Sequence, residues 1–448
     1  MANASEEAND LLSIPPEIIQ HILVFCLPKD LAAFSKACRL TRELIYGSED
    51  QHIWREIFLN LYDDPRKSLI TGESSFSVNW KNELQRRTEA ESVARRAPDV
   101  EPHEHVSERL RALETFISAV QQALPAAKAD ENAEPEPSLN LQWLDKLLKD
   151  SRMLSSAPLL TEIHLHSRLR AYISLTHELS TDEGRITVRR IQSRCFVYDI
   201  RNYKAANDWG AFMTDGSVNW QHIDHLAVVV LTNLRELPVE RETIATKPPL
   251  GLLNTRPLSA PGPYFESDWA GVEGTWRRYV CFMDYRDLFA FNFSPVANGP
   301  RNPLFFHDSR FREATRLIEV KLHLVSKSEL VFHEPPRYGN VNPRYPMLCF
   351  SGTSCGANGH EAKVEGHVRI GIDGSIRWTF YDLMQGSVHN NSTLWCSQGV
   401  QLGGIASAAG IVGSWSTSVH DQGDPVGPFW LWKVSQIHAD PSDLMDFT

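Results

Sequence analysis

The chain has 448 residues, of which 42% are hydrophobic and 23% charged, enough apolar mass for at least one full-sized buried core. A net charge of -11 sets nucleic acid aside, because neutralising phosphates needs a basic face, and no apolar run reaches the ~18 residues of a membrane span. Seven scattered cysteines, an odd number in apolar contexts, read as packed thiols of a reduced compartment. With a polar, acidic stretch from Met1 to Asp10 in place of a signal peptide, the expectation is a cytoplasmic or nuclear protein of two or three folding units.

From Ser13 to Phe58, apolar residues recur at helical spacing in bursts of about ten, separated by turn and capping signals. Leu61 to Glu91 reads as a loop followed by an amphipathic helix. Val106, Leu110, Leu113, Ile117, Val120 and Leu124 step by four and three alternately, which puts them on one helical seam. Residues 126–138 lack large apolar side chains and are rich in Glu, Ala and Pro, the composition of a flexible linker. Helical patterns resume at Trp143 to Leu148 and at Leu159 to Leu175.

Past Gly184 the texture shifts toward Val, Ile, Phe and Tyr, with one helical stretch at Trp220 to Leu237 and then six prolines between Pro238 and Pro263. Thr275 to Phe293 reads as two aromatic-rich strands around Asp284 to Asp287. Val368, Ile370 and Ile372 alternate before Asp373-Gly374, and Ile376, Trp378 and Phe380 alternate after it, the pattern of a tight hairpin. Further strands are expected at Thr315 to Val325, Met347 to Ser351, Leu394 to Leu402, Ile411 to Trp415 and Phe429 to Val434. These predict an antiparallel β-barrel or β-sandwich.

The first fifty residues carry the most specific signal. Proline at a helix start costs little, since first-turn N–H groups have no intrahelical partner, and Glu17 suits the positive end of the helix dipole. On the helix so begun, Ile18, Ile22 and Phe25 share one face while Ile19 and Leu23 share a neighbouring one. Ser48 with Gln51 reads as a capping box for a last helix bearing Trp54, Ile57 and Phe58. A domain this small hides only about 60% of its chain surface, so the surplus apolar face predicts a helical docking partner.

The order Ile14, Pro15, Glu17, then Leu27-Pro28, Asp30-Leu31, Phe34, Ala37-Cys38-Arg39, Arg42 and Trp54-Arg55 resembles the F-box, with Ile14 where the family most often has Leu. The resemblance implies docking onto the Skp adaptor and, through it, cullin and RING subunits. By position, the adaptor contacts would be Ile14, Pro15, Ile18, Ile22, Leu23, Leu27, Leu31 and Trp54. The runs YDDPR and WKNELQRR, and the later GTWRRYVCFMDYRDL and GDPVGPFWLWK, are similar to the extensions of fungal F-box proteins.

Other constellations carry less. His323, His333, His360 and His367 with Cys349 and Cys355 fit no standard zinc spacing, so no metal and no cofactor are expected. Gly399, Gly403, Gly404, Gly410 and Gly413 lack the order of a phosphate loop and read as bulges and tight turns of a curved sheet. Gly413-Ser414-Trp415-Ser416 lacks the closing glycine of a nucleophile elbow. Trp430 and Trp432 point to one sheet face, either filling a barrel interior or, with Arg277, Arg278 or Arg377, lining a rim that holds a peptide.

The expected architecture is an α+β multidomain chain. It comprises a three-helix F-box at 11–60, a helical extension at 61–125, a linker at 126–138, a helical segment at 139–183 and a mainly β recognition domain at 184–440. Substrate contacts are expected at Arg277, Arg377, Trp430 and Trp432. The expected role is a non-enzymatic substrate receptor, with an unknown protein as its target. A β-domain holding a small ligand or glycan is the alternative.

Overall fold

A computed structural model describes residues 14–47, 51–69, 77–96, 106–126, 136–178, 182–237, 246–293, 301–308, 311, 313–331, 342–384, 395–421, 423–435 and 444–447. The chain divides into two compact units, Met1–Leu124 with Pro137–Met153, and Pro125–Glu136 with Leu154–Thr448. The helical segment expected at 139–183 is therefore split after Met153. Ser48, His333, Leu394 and residues 127–135, each used in a sequence expectation, lie outside the described residues.

The first unit is helical: α1 (Pro16–Leu23), α2 (Pro28–Phe34), α3 (Arg39–Tyr46), α4 (His52–Leu61), α5 (Trp80–Arg95), α6 (Val106–Gln121) and α7 (Leu139–Ser151). Proline opens both α1 and α2, as the sequence predicts, and Glu17 sits in the first turn of α1. The start of α4 differs from the expected capping box. Gln51 takes a left-handed conformation there, with no side-chain cap, and its Oε1 instead accepts from the Lys81 backbone N–H at 3.4 Å.

The core of this unit joins Ile19, Leu23, Leu31, Ile45, Trp54, Ile57, Phe58, Tyr62, Trp80 and Leu84. Two buried polar groups fasten the later helices to it. Arg87 is fully buried and packs over the Phe58, Tyr62 and Trp143 rings. It donates to Asn140 Oδ1 at 2.8 Å and Gln122 Oε1 at 3.1 Å. Burial pushes its guanidinium down to about 10 and the Tyr62 hydroxyl up to about 12. Asp63 accepts from the Leu124 and Leu139 N–H groups at 2.9 and 2.8 Å and from the Ser138 hydroxyl, which also caps α7. Ser138, expected at the end of a flexible linker, is thus a buried structural residue.

The second unit contains α8 (Ile163–Ile173), α9 (Glu183–Val197), α10 (Trp220–Leu234) and α11 (Tyr285–Asn292). Its strands are β1 (Gly274–Met283), β2 (Glu313–Val325), β3 (Leu348–Cys355), β4 (Glu361–Ile370), β5 (Ile376–Met384), β6 (Trp395–Gln401), β7 (Ile411–Thr417), β8 (Gly427–Val434) and β9 (Met445–Phe447). The expected β-domain boundary at 184 falls inside α9. Asp284 accepts from the Arg286 N–H and caps α11, which buries Leu288, Phe291 and Asn292. The second half of the expected Thr275 to Phe293 hairpin is therefore a helix, because its apolar spacing of three and four outweighs its aromatic content.

Strands β1 to β8 form an antiparallel meander, and β1 pairs with both β2 and β8, closing an eight-stranded barrel. β9 adds to β2 at Thr315 to Leu317. Register fixes the two faces. Arg278 stands opposite Ile318 and Leu431, so these three point into the lumen, and Arg277, opposite Glu319 and Trp432, points out. The lumen holds Trp276 against Trp378, and Phe380 against Phe429. Gly399 and Gly413, paired across β6 and β7, make room for them: a Cβ on Gly399 would meet Phe429 at 2.9 Å. Gly403 and Gly410 sit at positive φ before β7, as expected for a tight turn. Helix α10, buried on almost every side, packs against the outside of β1, β7 and β8 as well as α8 and α9.

Candidate functional site

Helix α1 buries Ile19 and Leu23, each 5% exposed, and turns Ile18 (51%) and Ile22 (48%) to solvent, with Phe25 (74%) exposed just past its end. Leu27, in the turn that follows, is 49% exposed, and Leu40 on α3 is 56%. Exposed apolar side chains grouped on one helix face are of the kind found at interaction surfaces. Pro15 lies exposed beside it and Ile14 is half-buried. Three of the expected contacts are elsewhere: Leu23, Leu31 and Trp54 are buried in the unit's own core. Phe25 and Leu40 are the exposed ones instead. Phe25 is on the face where its spacing from Ile18 and Ile22 put it, whereas Leu40 lies on another helix and carries no periodic link to α1.

The second candidate is a cavity of about 620 Å³ at one mouth of the barrel. Its walls are mainly apolar, from Val280, Phe282, Ile318, Trp395 and Trp415, with Tyr285 of α11 at the rim. Trp395 and Trp415 meet edge to face at 5.2 Å. At its base Arg278 donates to Asp382 Oδ2 and Ser397 Oγ, both at 2.7 Å, and lies over the Phe380 and Phe429 rings. This is a built polar group inside an apolar lumen, the general form of a ligand site at a barrel mouth.

Arg277, Arg377, Trp430 and Trp432 do not line this cavity. All four are under 3% exposed and face outward from the barrel wall. Arg277 pairs with Glu319, Arg377 bonds Ser375 and Asp373 beneath the Phe212 ring, and Trp430 donates to the Ala409 carbonyl. Their parity was misplaced because β1 and β8 are buried on both faces, leaving no polar alternation to mark inside from outside. Trp276, Trp378, Trp395 and Trp415 are the tryptophans of the lumen. Among the described residues no group of three His, Cys, Asp or Glu is placed to hold a metal ion, and no helix is long and apolar enough to cross a membrane.

No curated protein and no solved structure matches the chain. A family model does: the one described as F-box-like matches residues 11–60, which span the exposed α1 face and the core beneath it. The chain therefore carries an F-box-like domain at residues 11–60, and its second unit holds a closed eight-stranded antiparallel β-barrel.

Proposed function

We propose that this protein is a substrate receptor of a Skp-cullin-F-box ubiquitin ligase. The F-box-like domain docks the Skp adaptor through Ile18, Ile22, Phe25 and Leu27, and the barrel unit captures the protein to be ubiquitinated. The observation that carries this reading is the exposed apolar face of α1 lying within residues matched to the F-box-like family. The chain performs no chemistry of its own in this scheme. Holding a target lysine near the charged conjugating enzyme raises effective concentration, and that proximity is its contribution.

Affinity purification of the intact protein from its own cells with the proteasome blocked tests the reading. The Skp adaptor and cullin should be recovered together, and both should be lost from the Ile18→Asp, Ile22→Asp variant, which places charge in an apolar contact. Recovery of neither with the unaltered chain would sink the ligase role. A second reading, a barrel that binds a small ligand or glycan, is favoured by the cavity of about 620 Å³ at the barrel mouth, which is the size of a small-molecule site.

A further inference from the structure

We infer that the barrel mouth takes an aromatic side chain bearing a neutral hydrogen-bond donor, the chemistry of Trp or Tyr, presented by a polypeptide. This rests on the receptor reading and names what that receptor recognises. Three features of the unit carry it.

The walls are aromatic on two sides. Trp395 and Trp415 stand at 80° to one another, and Phe282 and Tyr285 line the same cavity. Rings of this kind favour offset or edge-to-face contact with another ring. The base adds one selective polar group. Asp382 lines the cavity and accepts from Arg278 at Oδ2, and a carboxylate with two oxygens has acceptor capacity beyond that one bond. An occupant that supplies an N–H or O–H there satisfies an acceptor otherwise taken from water. One without a donor leaves that capacity unfilled in an apolar site, a strongly discriminating arrangement. Apart from His360, the charged groups of the lining balance, Arg278 and Arg316 against Asp284 and Asp382, so the lining has no excess of one sign to favour a charged occupant.

The third feature extends the site beyond a small molecule. Tyr285, Phe289 and Phe293 step by four along α11 and its cap, and are 59%, 55% and 40% exposed. They form one aromatic stripe that begins at the cavity, since Tyr285 lines it, and runs outward with Phe289 and Phe293 stacked at 4.6 Å. A ligand confined to the lumen would leave that stripe bare. A peptide anchored in the lumen covers it with its neighbouring residues, as aromatic surface around an anchor pocket does in protein interfaces.

The test is to pan random peptides displayed on phage against the full-length protein and to synthesise the enriched sequences. They should share a Trp or Tyr, and replacing that Tyr by Phe, or that Trp by 1-methyltryptophan, should weaken binding about tenfold or more. Ala362→Trp and Ser354→Phe, which fill the mouth from the neighbouring strands β4 and β3, should each abolish binding while the Skp adaptor still co-purifies. The idea is overturned if the enriched peptides lack an aromatic donor, if the donor-free replacements bind equally, or if both filled variants bind as before. It is also overturned if the neutral fluorophore N-phenyl-1-naphthylamine binds and no peptide is enriched, which assigns the cavity to small apolar ligands. Loss of adaptor recovery alongside intact peptide binding would remove the ligase role alone and leave the pocket's chemistry standing.

Discussion

Arg278 of β1 and Asp382 of β5 meet inside the barrel at 2.7 Å, although 104 residues separate them in the chain. Both side chains are nearly buried, at 5% and 11% exposure. Removing one partner alone strands a charge in the lumen, so Asp382→Ala should destabilise the barrel unit by about 3–5 kcal/mol. Replacing both by leucine should recover most of that loss. Urea unfolding of the two variants and the parent checks the pair; equal stability of Asp382→Ala and the parent would show that the charges are solvated.

The α1 face and the core beneath it should separate cleanly under substitution. Ile18→Asp with Ile22→Asp leaves the fold within ~0.5 kcal/mol of the parent, because both side chains are about half exposed. Leu31→Ala, at a residue 1% exposed, should cost about 2–5 kcal/mol in the same assay. Thermal unfolding alongside adaptor capture distinguishes a surface lesion from a core one.

Acidification should weaken the second unit before carboxylates titrate. Burial holds the His166 imidazole down to about 4 and His222 down to about 3, against an ordinary 6.5. With the folded value below the unfolded one, protons favour the unfolded chain. The stability is complete above about pH 6.5 and declines as pH falls toward 4, by about 1.4 kcal/mol per pH unit for each histidine. His222→Asn should remove one proton from that slope in urea midpoints measured between about pH 7 and pH 4.5. An unchanged slope in the variant would mean that His222 is protonated in the fold.

Two glycines should respond oppositely to an added methyl group. Gly399→Ala drives a Cβ to 2.6 Å from Ile411 and 2.9 Å from Phe429, so overpacking should cost about 1–3 kcal/mol. Gly184, in the first turn of α9, has nothing within 4 Å, and Gly184→Ala should stabilise by up to ~1 kcal/mol through helix propensity alone. Chemical denaturation of the two single variants decides both signs.

The Asp63 clamp can be tested at its donor. Ser138→Ala removes a helix cap and a hydrogen bond to a buried carboxylate together, and should cost more than the ~1 kcal/mol of a lost cap alone. A loss no larger than an exposed cap would mean that Asp63 is satisfied by the Leu124 and Leu139 N–H groups.

Much of the architecture was legible where one local pattern dominated. The Asp373-Gly374 hairpin, the seam of α6 and the proline starts of α1 and α2 each follow from a short run whose period or turn residue admits one answer. Legibility failed where two signals competed. Tyr285 to Phe293 is aromatic enough for a strand, yet Asp284 caps it as a helix. Ile186 to Val197 is β-branched in part, yet folds as α9 because its buried positions pack on α10. Of the two adjacent arginines the sequence offers, Arg278 faces the lumen and Arg277 the outer wall. In a strand buried on both faces, only the register with β2 and β8 tells them apart.

Closure of the barrel also orders its synthesis. β1 ends at Met283, but its partner β8 begins only at Gly427, so one edge of β1 waits for about 140 further residues to be made. At ~5–20 residues per second that is roughly 7–30 s on the ribosome with an unpaired, aromatic edge. The helices α1 to α7 are complete well before then. A nascent chain can thus present a finished α1 face while its barrel is still open, and the barrel strands, rather than the helices, are where cellular chaperones would be needed.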